Sequence, residues 1–241
     1  MAVATKEKND THKIALKGES AVLIKGRTLK TSTTGSSKLV AEFFEYSINT
    51  ILFQRGVYPA EDFTPVKKYG LNMLVSSDDQ VKSYIKRIMS QLNKWMQKSK
   101  ISRFVVVITS KETGEHVERW QFDVNLLGRN SKSKTRSGGA ENENADSNTP
   151  AEADSEKTES QIQEEIQAIF RQITASVTFL PVLDGNCTFN VLVYADADSE
   201  VPLEWGDSDA KEIKNGEKVQ LRSFSTANHK VDTLVSYRLL D

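Results

Sequence analysis

The sequence predicts an α+β fold in which three long helices pack on an antiparallel sheet. Apolar residues recur at helical spacing in three separate stretches, and short runs of β-branched and aromatic residues stand between and after them. These helices and strands can bury their apolar faces only against one another. We therefore expect one domain over residues 14–241, preceded by a flexible N-terminus of residues 1–13.

The composition narrows the class of protein. The 241 residues are 38% hydrophobic and 27% charged, and the net charge is -1, so we expect neither nucleic acid nor a membrane among the partners. A single cysteine, Cys187, excludes an intramolecular disulfide. The chain also lacks an apolar stretch of about 20 residues and the core of a signal peptide. A cytosolic or nuclear protein is expected.

The first part of the domain contains a loop and a helix. Ala21–Ile24 could form a short strand, and the Ser/Thr/Gly-rich remainder of residues 17–37 is predicted to be a loop. A helix is predicted from Lys38, with Ser36 or Ser37 as its cap and Gly56 at its end. Its buried face consists of Val40, Phe43, Phe44, Ile48, Ile51 and Leu52.

A loop that begins at Tyr58 and includes Pro65 separates this helix from the next. The second helix is predicted from about Asp78 to Lys98, with acids at its start and a base at its end, as the helix dipole favours. Trp95 belongs to its apolar stripe and is expected in the core.

Two strands are predicted to follow. The apolar run Phe104–Ile108 indicates a central strand that is buried on both faces. After a turn at residues 111–114, Trp120, Phe122 and Val124 alternate with Arg119, Gln121 and Asp123, which predicts a half-buried partner strand.

Apart from Pro150, residues 128–158 contain no apolar side chain larger than Ala, and we predict a disordered insertion there. Its basic run at 129–136 could be a nuclear-import signal, a weak nucleic-acid patch or simply a solvated loop. A third helix then begins near Thr158 or Ser160, where Ser160 and Gln163 fit a capping box. Its buried face is expected to consist of Ile162, Ile166, Ile169, Phe170, Ile173 and Val177.

The C-terminal third is predicted to be strands. In strand 187–194, Cys187, Phe189, Val191 and Val193 face one side, and Thr188, Asn190, Leu192 and Tyr194 face the other. Residues 218–240 predict a hairpin, which could leave one sheet edge and join another. Trp205, in a polar linker before it, could be a loop anchor or a peptide contact.

Catalytic and metal sites are not predicted. His12, His116 and His229 lie in unrelated segments, and one cysteine does not complete a metal-site spacing. Cys187 suits a small buried apolar residue better than a nucleophile. The stretch at Gly35 lacks the spacing of a phosphate-binding loop. We expect no cofactor, no metal and no enzymatic activity.

Five blocks of the chain resemble the HORMA-domain family of spindle-checkpoint proteins, in its mitotic-arrest-deficient branch of fungal type with two insertions. They are Ala41–Pro59, Val66–Leu71, Glu118–Asp123, Ile169–Pro181 and Leu221–Thr226, in the order of the family, and the resemblance covers about residues 38–127 and 158–240. Ile14–Gly18 fits the family's N-terminal segment, and an insertion at 19–35 then precedes the first helix.

The resemblance implies a single HORMA domain with open and closed states. In the closed state a mobile C-terminal segment, the safety belt, crosses the sheet and locks a partner peptide beneath it; here it would span residues 200–240. The peptide would add to the strand residues Phe189, Asn190, Val191, Leu192, Val193 and Tyr194. Belt residues would include Trp205, Leu221, Arg222, Phe224, His229, Val235 and Tyr237. Arg171, Gln172 and Phe179 would mediate open–closed self-association.

The resemblance also implies a function and its partners. The chain would be a checkpoint adaptor that delays anaphase, in the nucleus, at the kinetochore and in the cytoplasm. Its partners would be the first mitotic-arrest-deficient protein, which is the kinetochore receptor, the cell-division-cycle activator of the anaphase-promoting complex, the third mitotic-arrest-deficient protein and a second copy of itself. The alternatives within the fold are a HORMA subunit of a translesion polymerase or of the meiotic chromosome axis. An enzyme is the alternative from another class.

Overall fold

Three helices lie on one face of a seven-stranded sheet. The computed structural model describes residues 11–16, 33–127 and 157–239. The helices are α1 (Thr33–Gln54), α2 (Asp79–Gln97) and α3 (Glu159–Ala175). The strands are β1 (Thr11–Leu16), β2 (Phe63–Lys68), β3 (Leu71–Ser76), β4 (Ile101–Ser110), β5 (His116–Leu126), β6 (Cys187–Asp196), β7 (Trp205–Asp207), β8 (Glu217–Ser225) and β9 (His229–Tyr237).

The order of strands in the main sheet is β7-β1-β6-β4-β5-β9-β8, and every neighbouring pair is antiparallel. β2 and β3 form a separate hairpin that packs beside α1. The order places β7 and β8 at opposite edges, although they are consecutive in the chain. The segment that joins them must therefore span the whole sheet.

The core lies between the helices and the sheet, and α1 is at its centre. The ring of Phe44 stacks on that of Phe104 of β4 with the ring centroids 4.5 Å apart. Phe43 packs edge-on against Phe122 of β5, with 5.7 Å between the centroids. Phe170 of α3 lies 5.3 Å from Phe43. These rings are almost completely buried. Because each aromatic side chain removes a large apolar area from water, this cluster fixes α1 and α3 against β4 and β5.

Most of the predicted elements are confirmed. α2 has the predicted bounds, with Asp78 as its N-cap, and Trp95 is in the core. Gly56 adopts φ 62 after the end of α1, as a left-handed cap requires. β4 is central and buried on both faces, and the terminal hairpin is present as β8 and β9. On β6 the odd-numbered apolar residues join the main core while Leu192 and Tyr194 join a second cluster on the other face.

The predicted helix ends need correction. α1 begins at Thr33 and not at Lys38, so Ser36 and Ser37 lie inside the helix and do not cap it. The capping box of α3 is formed by Thr158 and Gln161 and not by Ser160 and Gln163, because the helix begins one residue after Thr158. Val177 was expected in the buried face of α3 but is 38% exposed, since α3 ends at Ala175 and a 3₁₀ turn over Ser176–Thr178 turns its side chain outward.

Three strand predictions also differ from the structure. The loop predicted around Pro65 contains the β2–β3 hairpin. β5 is buried on both faces and not half-buried, because other residues cover the face of Arg119 and Gln121. β1 begins at Thr11, three residues inside the predicted flexible N-terminus, and β7 lies in the predicted polar linker. Cys187 is only partly buried.

Several predictions lie outside the described residues. These are the strand at residues 21–24, the insertion at 19–35 except for its last three residues, and the disordered insertion at 128–158 with its basic run, except for Lys157 and Thr158.

Candidate peptide-binding site

The six residues predicted to contact a peptide all lie on β6. One edge of β6 pairs with β4, from Ile101↔Ala195 to Ser110↔Cys187. The other edge pairs with β1, from Thr11↔Asp196 to Ala15↔Leu192. The edge on which a guest strand was expected is therefore present, and the chain's own β1 occupies it. Binding of a guest by these residues stays a prediction.

β1 is held on both sides. Its second edge pairs with β7, with Ile14 opposite Asp207, Ala15 opposite Gly206 and Leu16 opposite Trp205. Just after β7, the amide of Ser208 donates to the carbonyl of Lys13 at 2.9 Å. β7 lies within the predicted belt. We call the space between β6 and β7 the strand slot; it accepts an extended segment that runs antiparallel to both walls.

The helix-facing side of the strand slot is apolar. Ile14 and Leu16 are 1% and 6% exposed and belong to the main core. The indole of Trp205, opposite Leu16, packs edge-on against Trp95 with the ring centroids 5.0 Å apart, and the indole N–H of Trp95 donates to the carbonyl of Glu200 at 3.0 Å. Trp205 is therefore an anchor that fastens this part of the belt to α2.

The segment that joins β7 to β8, residues 208–216, is here called the crossing segment. Six strand-to-strand steps of about 4.8 Å separate β7 from β8, which is about 29 Å. The ten residue steps from Asp207 to Glu217 reach at most about 33–36 Å when extended. The crossing segment therefore has little spare length as it crosses one face of the sheet, and it bends at Lys211 and Asn215, which adopt φ 46 and φ 51.

Arg119 on β5 fixes the crossing segment to the sheet. Its side chain is 1% exposed, on the face opposite the helices. Its Nε donates to the carbonyl of Ala210 at 3.2 Å, and its Nη2 lies 3.5 Å from a carboxylate oxygen of Glu212. A buried guanidinium needs such acceptors because an unpaired buried charge is costly. The backbone carbonyl of the crossing segment is one of them.

The contacts of Arg119 continue toward the strand slot. Its Nη2 also lies 3.3 Å from the hydroxyl of Tyr194 on β6. The ring of Tyr194 faces two cations, with Lys13 of β1 at 5.9 Å and Arg103 of β4 at 5.1 Å from its centroid. Tyr194 thus contacts both the strand in the slot and the residue that holds the crossing segment.

The crossing segment enters the terminal hairpin at Gly216. A Cβ atom at this position would lie 2.9 Å from the carbonyl oxygen of Tyr237 and 2.6 Å from a methyl carbon of Ile213. Because the carbonyl belongs to the backbone, it cannot move aside easily. A glycine is therefore needed where the chain turns into β8.

The hairpin is docked on α1 and β5. β9 pairs with β5 from Glu118↔Tyr237 to Leu126↔His229, and the ring of Phe224 lies 4.8 Å from Phe43. At the hairpin turn, the hydroxyl of Ser36 in α1 is 2.5 Å from that of Thr226 and 2.7 Å from Nδ1 of His229. Burial lowers the pKa of His229, which favours its neutral form in this contact.

The other predicted belt residues lie on the same hairpin. Leu221 and Val235 are buried, and Arg222 is exposed. Tyr237 is half-buried, with its ring 6.1 Å from Phe179.

The three residues predicted for self-association lie at the end of α3 and just after it. Arg171 and Phe179 are exposed, and Arg171 donates to Oε1 of Gln167 at 3.2 Å. Gln172 is half-buried, and its Oε1 accepts the amide of Arg222 on β8 at 2.7 Å. Gln172 therefore touches the belt hairpin in this arrangement. Self-association itself stays a prediction.

A buried ion pair supports β5 at the end next to Tyr237. Nε of Arg55 lies 2.8 Å from Oε2 of Glu118, and their side chains are 6% and 1% exposed. Arg55 also donates to the carbonyl of Pro181, and the indole N–H of Trp120 donates to Glu118. Burial raises the pKa of Glu118 although Arg55 acts in the opposite direction. The pair ties the end of α1 to β5.

Groups with chemical reactivity are sparse in the parts of the chain that the structure describes. They contain no cluster of three or more His, Cys, Asp or Glu side chains arranged for a metal ion. Burial raises the pKa of the Cys187 thiol, which disfavours the nucleophilic thiolate. None of the described helices is both long and apolar enough to span a membrane.

Two residues of the site, Arg119 and Ser36, and two of its strands, β1 and β7, were not predicted from the sequence. Arg119 was assigned to the exposed face of a half-buried strand, and Ser36 to a helix cap. The only signal for Arg119 was its place in a polar row, Arg119, Gln121 and Asp123, beside a buried strand. β7 is three residues long and therefore too short for alternation to reveal it.

Comparison with known proteins gives consistent matches. Residues 36–229 match the HORMA domain model. A Schizosaccharomyces pombe protein named mitotic spindle checkpoint component mad2 is 55% identical over 86% of this chain and 94% of the relative. The human mitotic spindle assembly checkpoint protein MAD2A is 44% identical over 85% of this chain and 91% of its own length. Among solved structures, a chain in a crystal structure of a mitotic checkpoint complex superposes with a TM-score of 0.72 at 54% identity, covering 85% of this chain and 99% of that chain.

Proposed function

Because the chain belongs to the HORMA-domain family and, within it, to the MAD2 spindle checkpoint proteins, we propose that it is a checkpoint adaptor that holds partner peptides in the strand slot. One observation carries this proposal. A strand lies between β6 and β7, with the core on one side and the crossing segment on the other. An extended peptide in that place would be enclosed on every side.

The enclosure explains how such an adaptor would hold its partner for a long time. A strand that adds to an open sheet edge gains main-chain hydrogen bonds of only about 0.5–1.5 kcal/mol each, so it leaves quickly. Here departure requires β7 to unpair from the guest, and β7 is held by Trp205 and by the crossing segment. Residence time then follows the free energy of local opening.

The proposed guests are a peptide of the first mitotic-arrest-deficient protein at the kinetochore and a peptide of the activator of the anaphase-promoting complex. Capture of the activator, together with the third mitotic-arrest-deficient protein, would delay anaphase. The match to a chain of a mitotic checkpoint complex supports an assembly of this kind. The action would be binding without catalysis, in the nucleus, at the kinetochore and in the cytoplasm.

We also propose that Arg171 and Phe179 contact a second copy of the chain in the other state. Their exposure beside the belt hairpin supports this, because a second copy bound there would also contact the hairpin in this arrangement. A translesion-polymerase or meiotic-axis subunit is not favoured, since relatives at 44–55% identity carry the spindle-checkpoint name.

The test is capture of purified receptor and activator fragments by the purified chain. Wild type is expected to bind both with slow dissociation. A variant without its last ten residues loses most of β9, including Val235 and Tyr237, and is expected to release them rapidly. Arg171→Ala is the matched control, because its exposed side chain is remote from the strand slot. Equal dissociation rates for wild type and the truncated chain would refute the proposal.

A further inference from the structure

We propose that β1 is an internal occupant of the strand slot and that an incoming guest must displace it. The side chains of β1 then show what kind of peptide the slot accepts. The inference rests on the proposed function. The guest that fits is an extended segment with apolar side chains at two alternate positions, those of Ile14 and Leu16, and a basic side chain at the position of Lys13.

The register of β1 fills both edges of the slot. β1 is antiparallel to both walls, and five of its residues pair with β6 while three pair with β7. The amide of Ser208 adds a bond to the carbonyl of Lys13. β1 therefore has paired neighbours on both edges. A second strand cannot pair with β6 from this side until β1 has left.

The two faces of β1 have different surroundings. Ile14 and Leu16 enter the core and are almost completely buried, whereas Lys13 is half-buried and lies over the ring of Tyr194. Ala15 packs on the cluster formed by Val105, Val107, Leu192 and Tyr194. The core side of the slot thus has room for two branched apolar side chains. On the other side, the slot has an aromatic face that suits a cation and little space beside it.

β1 is covalently tethered to the domain that forms the slot. β1 belongs to the same chain, and only the sixteen residues 17–32 separate it from α1. A short tether gives an effective concentration in the millimolar range. If the β1 segment itself has an intrinsic Kd in the micromolar range for the slot, any guest would bind up to about a thousandfold more weakly than to an empty slot. The occupant would set a threshold that only a well-matched guest passes.

The test uses a labelled peptide with the sequence of residues 9–18, Asn-Asp-Thr-His-Lys-Ile-Ala-Leu-Lys-Gly, added to the full chain. The full chain with Ile14→Asp and Leu16→Asp should bind this peptide at least tenfold more tightly than wild type, because its own β1 no longer occupies the slot. A peptide with the same two changes should not bind. Lys86→Gln in the chain is the control, since it removes one positive charge from an exposed position of α2 outside the strand slot, and it should behave as wild type.

A second variant covers the possibility that two aspartates disturb folding. Ala15 and Gly206 are paired residues of β1 and β7, so Ala15→Cys with Gly206→Cys, in a chain with Cys187→Ser, places two thiols in neighbouring strands. The oxidised form should exclude both the peptide and a receptor fragment, and reduction should restore capture of the receptor fragment to the wild-type level.

The outcomes separate the two proposals. If the receptor fragment is captured by wild type but the residue 9–18 peptide binds neither chain, or if the oxidised variant captures the receptor fragment as well as wild type does, β1 is not the occupant and the proposed function stands. If the peptide binds wild type and the double-aspartate variant equally, the inference also fails. If no fragment is captured by any form of the chain, both proposals fail.

Discussion

Arg119→Met should loosen the crossing segment without removing the hairpin from β5. Methionine keeps an unbranched apolar stem in the buried space and lacks the guanidinium that contacts Ala210 and Glu212. Ala210 then loses its side-chain donor. The crossing segment is expected to leave the sheet more often.

The expected magnitude follows from these two contacts. The charged hydrogen bond to the carbonyl of Ala210 contributes about 1.5–3 kcal/mol. Glu212 is 56% exposed, so solvent screens its ion pair and the contribution is at most about 1 kcal/mol. Together they amount to about 1.5–4 kcal/mol, which corresponds to opening that is about 10- to 1,000-fold more frequent.

Amide hydrogen exchange measures this opening directly. In the Arg119→Met variant we expect faster exchange of the Ser208 amide, which donates to the carbonyl of Lys13 at the start of the crossing segment, and little change in β4, which is central in the sheet. The dissociation rate of a captured receptor fragment should rise in parallel, because the crossing segment helps to enclose the strand slot.

Glu212→Gln is the matched control. It removes only the screened ion pair and should change exchange by less than about fivefold, the equivalent of about 1 kcal/mol. If the Ser208 amide exchanged in the Arg119→Met variant within threefold of its wild-type rate, the crossing segment would be held by something other than Arg119. The account given of this contact would then be wrong.

Three further predictions concern separate parts of the chain. Arg171→Ala should give only monomer on a sizing column while peptide capture is kept; a persistent dimer would show that the self-association surface lies elsewhere. Arg55→Met should lower the free energy of unfolding by about 3–5 kcal/mol, because it leaves the buried carboxylate of Glu118 without its partner. Urea denaturation measures this loss, and the double variant Arg55→Met/Glu118→Gln should regain part of it. Burial lowers the pKa of His229, so below about pH 6.5 the unfolded chain binds more protons than the folded chain, and stability falls as the pH is lowered. Urea titrations at about pH 7.5 and 5.5 should therefore show a larger loss of unfolding free energy in wild type than in His229→Asn. An equal loss in the two proteins would contradict the assignment.

The sequence predicted the elements that have strong periodicity. α2 and the central β4 follow from residues that repeat at helical spacing or form an apolar run, because burial against one core imposes those patterns. The terminal hairpin was also predicted. The position of α1's start was not, because Thr33 and Gly35 are poor helix formers and the hairpin turn stabilises the first helical turn through Ser36.

The candidate site was predicted only in part. The sequence identified β6 as one wall, since it is a long alternating strand, but not β1 or β7 as neighbours of each other. Strand order depends on contacts between distant segments, and Leu16 is paired with Trp205 across almost the whole chain. Arg119 was assigned to solvent because a polar residue on a strand is usually exposed; the crossing segment covers it.

The route from β7 across the sheet to β8 has a topological consequence. Together with the ladder β6–β4–β5–β9–β8, residues 197–216 complete a closed ring through which the strand in the slot passes. A guest segment with bulky folded domains on both sides would then pass through the ring and could not slide out along its own length, however weak its individual contacts are. Both loading and unloading of such a guest require the ring to come apart, which makes rupture of the ring, and not the strength of recognition, the event that limits its lifetime.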